Sequence, residues 1–372
     1  MNYRPTWLEI DINAIRSNLA CIRGLVEKTK VDILAVVKAN AYGHGLLRVG
    51  RVLVEEGVNY LGVATVDEAL KLRMDGISTA ILVLGSVLEE EAKVAARNNI
   101  TLTLCDEQSL SLLVSIAKGT SLRPKVHVKV DTGMGRIGIW HEEAVDFIKK
   151  VYSKNEIELE GIYTHFSSAG RDKIMTSLQI DSFENVLKGA ESARISVKYK
   201  HAANSIALVD WKSSHMNLVR TGILLYGVYP KEDFQSKFVL KPVMSLKTKI
   251  VHLKDTPPGR AISYGRTYIT QKHTKIATIP IGYADGYGRI LSNRAEALIN
   301  GQYARIVGMV TMDQTLLDVG HIENVKIADE VVLIGRQQNS EISACKVAKL
   351  AGTIPYEILA AITDRVRRVY SE

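Results

Sequence analysis

Cysteine is scarce in this sequence: Cys21, Cys105 and Cys345 lie far apart and form no CxxC pair. That excludes a disulfide framework and a zinc site of the usual spacing, and it fits a reducing cytoplasm. No apolar stretch reaches the roughly 18–20 residues of a membrane span. The opening MNYRPTWLEIDINAIRSN carries Glu9, Asp11 and Arg16 where a secretory segment would be apolar, so a cytoplasmic protein without membrane partners is expected. Aromatics are 6%, and the 48 basic residues are scattered among 40 acidic ones, so the formal charge of +8 does not build a nucleic-acid surface. The tightest basic run, Arg365-Val366-Arg367-Arg368, reads as the end of a helical stretch, where cations suit the dipole. Internal repeats and low-complexity segments are lacking too. What remains, 46% hydrophobic and 24% charged over 372 residues, is ordinary for one large globular domain plus a smaller one.

Within the first 230 residues short apolar runs alternate with helical periodicity. The runs are 33–37, 60–64, 81–84, 102–104, 126–130, 159–163, about 199–203, and 218–225. Between them lie helical segments such as 46–56, 67–73, 89–98, 107–118, 141–151 and 178–193. Eight such units predict an N-terminal (β/α)8 barrel with its chemistry at the C-terminal strand ends; a doubly wound open sheet is the alternative. After about residue 236 the period changes to two, as in Met244, Leu246, Thr248 and Ile250. Asn300-Gly301 between two apolar runs signals a hairpin, and one or two helices close the chain, the last entering through Thr353 and Pro355. The expectation is an α/β protein: a barrel over 1–236, then a β-rich C-terminal domain over 237–372.

Strand ends hold the chemistry. Ile33-Leu34-Ala35-Val36-Val37 has the signature of a strand buried on both faces, and it stops at Lys38 before Tyr42, Gly43, His44 and Gly45. A lysine there either reaches out to water or is partly desolvated, and desolvation favours the neutral amine that condenses with an aldehyde. Asp131–Gly138, DTGMGRIG, formally satisfies the dinucleotide pattern GxGxxG. Its place on the fifth unit, and Arg136 inside the loop, favour a guanidinium aimed at a carboxylate or phenolate over that reading. Lys129 and Asp131 lie on one face of the preceding strand, both pointing inward. His165 ends the strand of GIYTHFSSA, as catalyst or as structural residue, and no second histidine stands at metal-ligand spacing, so no metal is expected. In His201-Ala202-Ala203-Asn204-Ser205, a hydroxyl at a helix start suits an anion, and Gly222 after the eighth strand lets backbone approach a phosphate.

Taken with AISYGRTY around Tyr264, IGYADGYGR, GMVTMDQ and TIPYEIL, these strings resemble, in position and order from Val36 to Ile358, the motifs of the alanine racemases. AVVKANAYGHG is similar to that family's pyridoxal-phosphate attachment signature. The resemblance implies a homodimer with shared active sites, in which Lys38 holds the cofactor and serves as one acid–base group. Tyr264, from the partner chain, would be the other on the opposite face, abstracting the proton in the L-to-D direction while Lys38 donates. His165, in contact with Arg220, would hydrogen-bond the Tyr264 hydroxyl, and His201 would orient Arg220. Tyr42, Asn204, Ser205, Gly222, Ile223 and Tyr356 would hold the cofactor. Arg136 and Met312 would meet substrate, Lys129 is the position carbamylated in many members, and Tyr283, Asp172 and Arg289 resemble channel residues.

Arg220, beside a pyridine nitrogen, can donate a hydrogen bond but not surrender a proton. That keeps the ring a weak electron sink, which suits brief proton removal and return and suppresses transamination or decarboxylation. The resemblance therefore implies interconversion of L- and D-alanine, for peptidoglycan precursors or for alanine breakdown. A serine or broader racemase, a non-catalytic pyridoxal-phosphate carrier and, distantly, an NAD enzyme are the competing readings. Thr311 and Met309 stand where the family commonly has cysteine and arginine, which bears on the entrance rather than on the chemistry.

Overall fold

The first element is a strand that the sequence analysis did not name. In the computed structural model, which describes residues 3–26 and 31–372, β1 (Thr6–Asp11) alternates buried and half-buried residues. It hands over at Asp11, whose carboxylate accepts from the Ala14 amide, to the helix Ile12–Val26. The parallel strands follow: β2 (Asp32–Val36), β3 (Tyr60–Val63), β4 (Ala80–Val83), β5 (Thr101–Leu104) and β6 (Lys125–Asp131). After the two-residue β7 (Ile139–Trp140) come β8 (Glu158–Tyr163), β9 (Tyr199–His201) and β10 (Leu218–Thr221).

Their order is β10-β2-β3-β4-β5-β6-β8-β9. The ring nearly closes where the amides of Asn217 and Arg220 donate to Lys200 and Ala203 at 3.3 and 3.0 Å. That is the barrel, not the open sheet. Helix bounds follow the periodicity with two shifts. The helix after β8 starts at Lys173, capped by Asp172 through the Met175 amide, and the one after β7 starts at Ala144. The apolar run 218–225 is a strand only to Thr221, and Ile223–Tyr226 forms a 3-10 turn beyond Gly222.

Downstream, β11 (Met244–Lys249) reads buried, half-buried in alternation, as its period of two requires. It pairs antiparallel with β1 on one side and with Glu330–Gln337 on the other. The Asn300-Gly301 turn, with φ of 52° and 76°, joins Glu296–Ile299 to Gln302–Ile306 as the hairpin signal requires.

One expectation fails at the C-terminus. The run Arg365–Arg368 does not end a helix: the last helix is Pro355–Ala360, and Arg367–Ser371 is a strand parallel to β1. The arginines serve loops instead of a dipole. Arg368 donates to the carbonyls of Gly43, Ile362, Thr363 and Val366, tying the chain end to the segment after β2. The described residues contain no helix long and apolar enough to cross a membrane.

Candidate active site

Beyond β2 the chain makes a turn that sequence patterning did not reveal. Ala39, Asn40, Ala41 and Tyr42 all have φ of 53–54°, a left-handed coil of four non-glycine residues directly after Lys38. Such a conformation costs on the order of 1–2 kcal/mol per residue, so the surroundings must over-determine it. Glu68 accepts from the amides of Ala39 and Ala64 at 2.6 and 2.9 Å. His44 Nδ1 lies 3.0 and 2.9 Å from the carbonyls of Ala41 and Tyr42, and Asn40 Oδ1 accepts from the Leu46 amide at 2.8 Å. Held this way, Lys38 and Tyr42 face one cavity.

That cavity, about 570 Å³ at the C-terminal ends of the strands, is also lined by Lys129, Arg136, Tyr163, His165 and Arg220, and at another side by Asn204, Ser205, Gly222, Ile223 and Tyr356. Its size lies within the usual range for a small-ligand site. Burial lowers the Lys38 pKa, the nearby Arg136 charge lowers it further, and Glu68 only partly opposes them. The shift is toward the neutral amine expected of this lysine. Lys129 is 2% exposed, its Nζ donating to the Val130 carbonyl at 2.8 Å, and burial brings its pKa down to about 8. Asp131 folds the glycine-rich loop around itself, accepting from the amides of Gly133, Met134, Gly135 and Arg136, which presents Arg136 to the cavity.

Arg220 is the most constrained of these groups. One terminal nitrogen donates to His201 Nδ1 at 2.9 Å; the other serves the carbonyls of Thr164 and Ala202 at 2.8 and 2.9 Å and reaches His165 Nδ1 at 3.1 Å. Its guanidinium also lies 5.3 Å from the Tyr163 ring centroid. Among the described residues its Nε makes no hydrogen bond, so that donor is open to whatever the cavity receives. Because an arginine only donates, His165 must accept on Nδ1. Burial and the Arg220 charge push the His165 pKa well below its ordinary value, so the ring is neutral with its proton on Nε2.

At the anion end the structure adjusts the expectation. Asn204 caps the helix Ser205–Asp210, its Oδ1 accepting from the amides of Ile206 and Ala207 at 3.0 Å each, so those amides are already committed. Ser205 Oγ accepts from the Gly222 amide at 3.1 Å. A Cβ on Gly222 would stand 2.5 Å from the Tyr42 hydroxyl, so glycine is required by that close approach. Tyr42 and Tyr356 rings lie 6.0 Å apart across this end. The Ser205 hydroxyl, a tyrosine pair and the close backbone approach that Gly222 allows suit a phosphate; the amine and the donor-only guanidinium suit an aldehyde and a ring acceptor. The donor set fits a phosphorylated aromatic aldehyde.

Four expected site residues are not in this cavity. His201 is fully buried behind Arg220 and meets a ligand only through that guanidinium. Tyr264, Tyr283 and Met312 stand 74%, 42% and 53% exposed on loops of the β-rich half. These loops adjoin: the Tyr283 amide donates to Thr311 and the Ser263 hydroxyl to Met309. Sequence reasoning passed over Glu68, His127, Tyr163 and Glu160, and named His44 without a role. The signal for His127 was present, since His127, Lys129 and Asp131 alternate with three valines on β6 and form a polar inward face.

Comparison with known proteins points one way. The family model described as "Alanine racemase, N-terminal domain" matches residues 10–230, and "Alanine racemase, C-terminal domain" matches 243–370. The chain is 46% identical over 368 residues to the alanine racemase of Halothermothrix orenii, covering 99% of this chain and 97% of that one. It superposes on alanine racemase of Clostridium difficile 630 with a TM-score of 0.94 at 40% identity, covering 99% and 96% of the two chains. Alanine racemase from Bacillus anthracis, solved with bound L-Ala-P, gives 0.92 at 39% identity, covering 100% and 96%.

Proposed function

The chain belongs to the alanine racemase family, and from that premise we propose that it interconverts L- and D-alanine with pyridoxal phosphate seated in the barrel cavity. When bound, that group supplies an aldehyde for an amine and an electron-withdrawing ring that acidifies the substrate Cα. Lys38 supplies the amine, and its lowered pKa leaves it available as proton donor and acceptor at one face of Cα. Tyr42, Ser205, Gly222 and Tyr356 hold the phosphate. Arg136 takes the substrate carboxylate. The observation that carries the reading is Arg220, pinned at the cavity wall with Nε uncommitted and unable to yield a proton.

The second base comes from another copy. Tyr264, 74% exposed, does not line its own chain's cavity, so residues 237–372 of one protomer complete the site in the barrel half, 1–236, of its partner; the exceptions are β1, which lies in the β-rich sheet, and Tyr356, which lines the cavity of its own chain. There the Nε2–H of His165 donates to the Tyr264 oxygen and favours the phenolate over a phenol whose ordinary pKa is near ~10. Met312 and Tyr283 enter with it, and Tyr356 narrows the space to a methyl side chain. Lys129, neutral in good part near its pKa of about 8, adds carbon dioxide at Nζ and releases one N–H proton to solvent to give a carbamate. The site of action is the cytoplasm, with neither nucleic acid nor membrane as partner.

The test is turnover of L- and D-alanine followed by optical rotation, combined with borohydride reduction and peptide mapping. Equal approach to racemate from either enantiomer and a stable adduct on Lys38 are expected. An adduct elsewhere, or a trapped cofactor without turnover, overturns the reading.

A further inference from the structure

Behind Arg220 a chain of hydrogen bonds runs deeper into the barrel. His201 Nε2 lies 2.8 Å from His127 Nδ1, and His127 Nε2 lies 3.2 Å from Glu160 Oε2. The Tyr60 hydroxyl and the Thr101 hydroxyl donate to that same oxygen at 2.8 and 3.2 Å. Arg220, His201, His127 and Glu160 are 4%, 0%, 0% and 6% exposed. Among the described residues Arg220 forms no direct ion pair, so Glu160 is the carboxylate to which this buried cation is linked.

The polarity of the chain is fixed at both ends. An arginine only donates, so His201 must accept on Nδ1, carry its proton on Nε2 and donate to His127 Nδ1. His127 then carries its proton on Nε2 and donates to Glu160, which, ionised, only accepts. Burial lowers the pKa of both imidazoles, so neither takes a second proton. Burial opposes ionisation of Glu160, but the hydrogen bonds from His127 and Tyr60 overcome it and hold the carboxyl below its usual range.

Two departures from regular backbone serve this chain. The β6–β8 register passes from Val126↔Leu159 to His127↔Gly161, skipping Glu160, so Glu160 is the extra residue of a bulge. A bulge re-aims one side chain, here a carboxylate that strict alternation would point away from the face shared by Gly161 and Tyr163. Next to it, a Cβ on Gly161 would stand 2.7 Å from the His127 ring, so only glycine leaves room for that imidazole.

We propose that Glu160 is a positioning residue for Arg220: by only accepting, its carboxylate fixes His127 and His201 as single tautomers and keeps His201 Nδ1 open to the guanidinium. This rests on reading Arg220 as the group facing the cofactor ring. Glutamine at 160 would offer both an oxygen and an N–H to His127. The chain could then run backwards, placing an N–H of His201 against an N–H of Arg220 and releasing one of its anchors.

The test is ¹⁵N NMR of the histidine-labelled holoprotein, assigned through single-site variants, beside steady-state kinetics. In the wild type both His127 and His201 are expected neutral with the proton on Nε2 and unchanged from about pH 6 to about pH 9. Glu160→Gln is expected to give mixed tautomers at both rings, with kcat falling about tenfold or more and KM within about twofold. Glu160→Asp, which keeps the charge, is expected to keep the single tautomers. An Nδ1–H or doubly protonated ring in the wild type, or unaltered tautomers in Glu160→Gln, overturns the proposal; should that variant not fold, the wild-type spectrum decides. Wild-type tautomers as stated without alanine turnover would instead remove the racemase reading and leave the relay standing.

Discussion

In the barrel, Arg220, Lys129 and His201 are nearly or wholly buried, and each is hydrogen-bonded within its own chain. In the β-rich half, Tyr264, Tyr283 and Met312 carry large side chains into solvent, and none of the three lines the barrel cavity. The contrast teaches how the chemistry is divided. One half is organised before any ligand arrives, through a strained turn, a bulge and a run of one-way hydrogen bonds. The other holds Tyr264, Tyr283 and Met312 on exposed loops outside that cavity, and reaches it only through the segment that carries Tyr356. Two groups on opposite faces of one carbon are easier to obtain from two chains than from one strand-end ring, whose loops all approach from the same side.

The largest effect follows from removing the barrel's own base. Lys38→Ala is expected to lower racemisation by about 10³-fold or more while leaving the fold intact, because the side chain lines a cavity rather than filling a core. Circular dichroism and turnover check both parts. Retained turnover would break the comparison outright, since the cavity's other lysine, Lys129, is held to the Val130 carbonyl.

Next in size is complementation between the halves. Lys38→Ala and Tyr264→Phe proteins should each be nearly inactive alone. Mixed in equal amounts, unfolded and refolded together, half of the dimers are heterodimers with one intact site of two, so about a quarter of wild-type activity returns. No recovery in a mixture shown to contain heterodimer would place Tyr264 outside the partner's site. Tyr264→Phe alone should also suppress solvent-deuterium incorporation into L-alanine, because its face of Cα would lack a base.

A smaller shift tests what depresses the amine. Attachment of the aldehyde needs neutral Lys38, so borohydride-trapped adduct in the apoprotein should rise with pH through a midpoint below the ordinary lysine value of ~10.4. Arg136 is among the causes of that depression, after burial. Arg136→Gln is therefore expected to move the midpoint upward, and burial alone should keep it short of the ordinary value. A midpoint that stays put would mean that Arg136 is screened from the amine.

The sequence was a good guide wherever one residue type has one use. The two periodicities gave the barrel and the β-rich half, and Asn300-Gly301 gave a turn only a hairpin uses. Lys38, Arg220 and Ser205 could be placed because each lies at a strand end or opens a helix, and Arg136 because its loop leaves a strand end; strand ends on one side of a barrel converge. Three features were hidden for physical reasons. The left-handed coil at 39–42 uses alanine, asparagine and tyrosine rather than glycine, held there by Glu68 and His44 from outside the segment. Glu160 enters the barrel only because of a bulge, and a bulge has no signature in a single strand's composition. The strand Arg367–Ser371 pairs with β1 across nearly the whole chain length, a contact no local window contains.

The smallest predicted effect asks whether the barrel half is as self-contained as it looks. His44 is fully buried, its Nδ1 bonded to the carbonyls of the strained turn and its Nε2 without a partner among the described residues, and burial lowers its pKa to about 4. The unfolded chain binds that proton first, near pH ~6.5. The stability gained from neutral His44 is therefore complete above that pH and lost progressively as pH falls toward about 4, up to about 3 kcal/mol in all. His127, His165 and His201 are lowered likewise and add to the wild-type slope, so the informative quantity is a difference. His44→Asn keeps an N–H where Nδ1 stood and cannot titrate. Its thermal midpoint should lose less than the wild type's as pH falls through this window, with the two offset by a constant amount above it. Parallel loss in both proteins would mean that the turn beneath Lys38 is braced from elsewhere, with the exposed half or the partner as the first place to look.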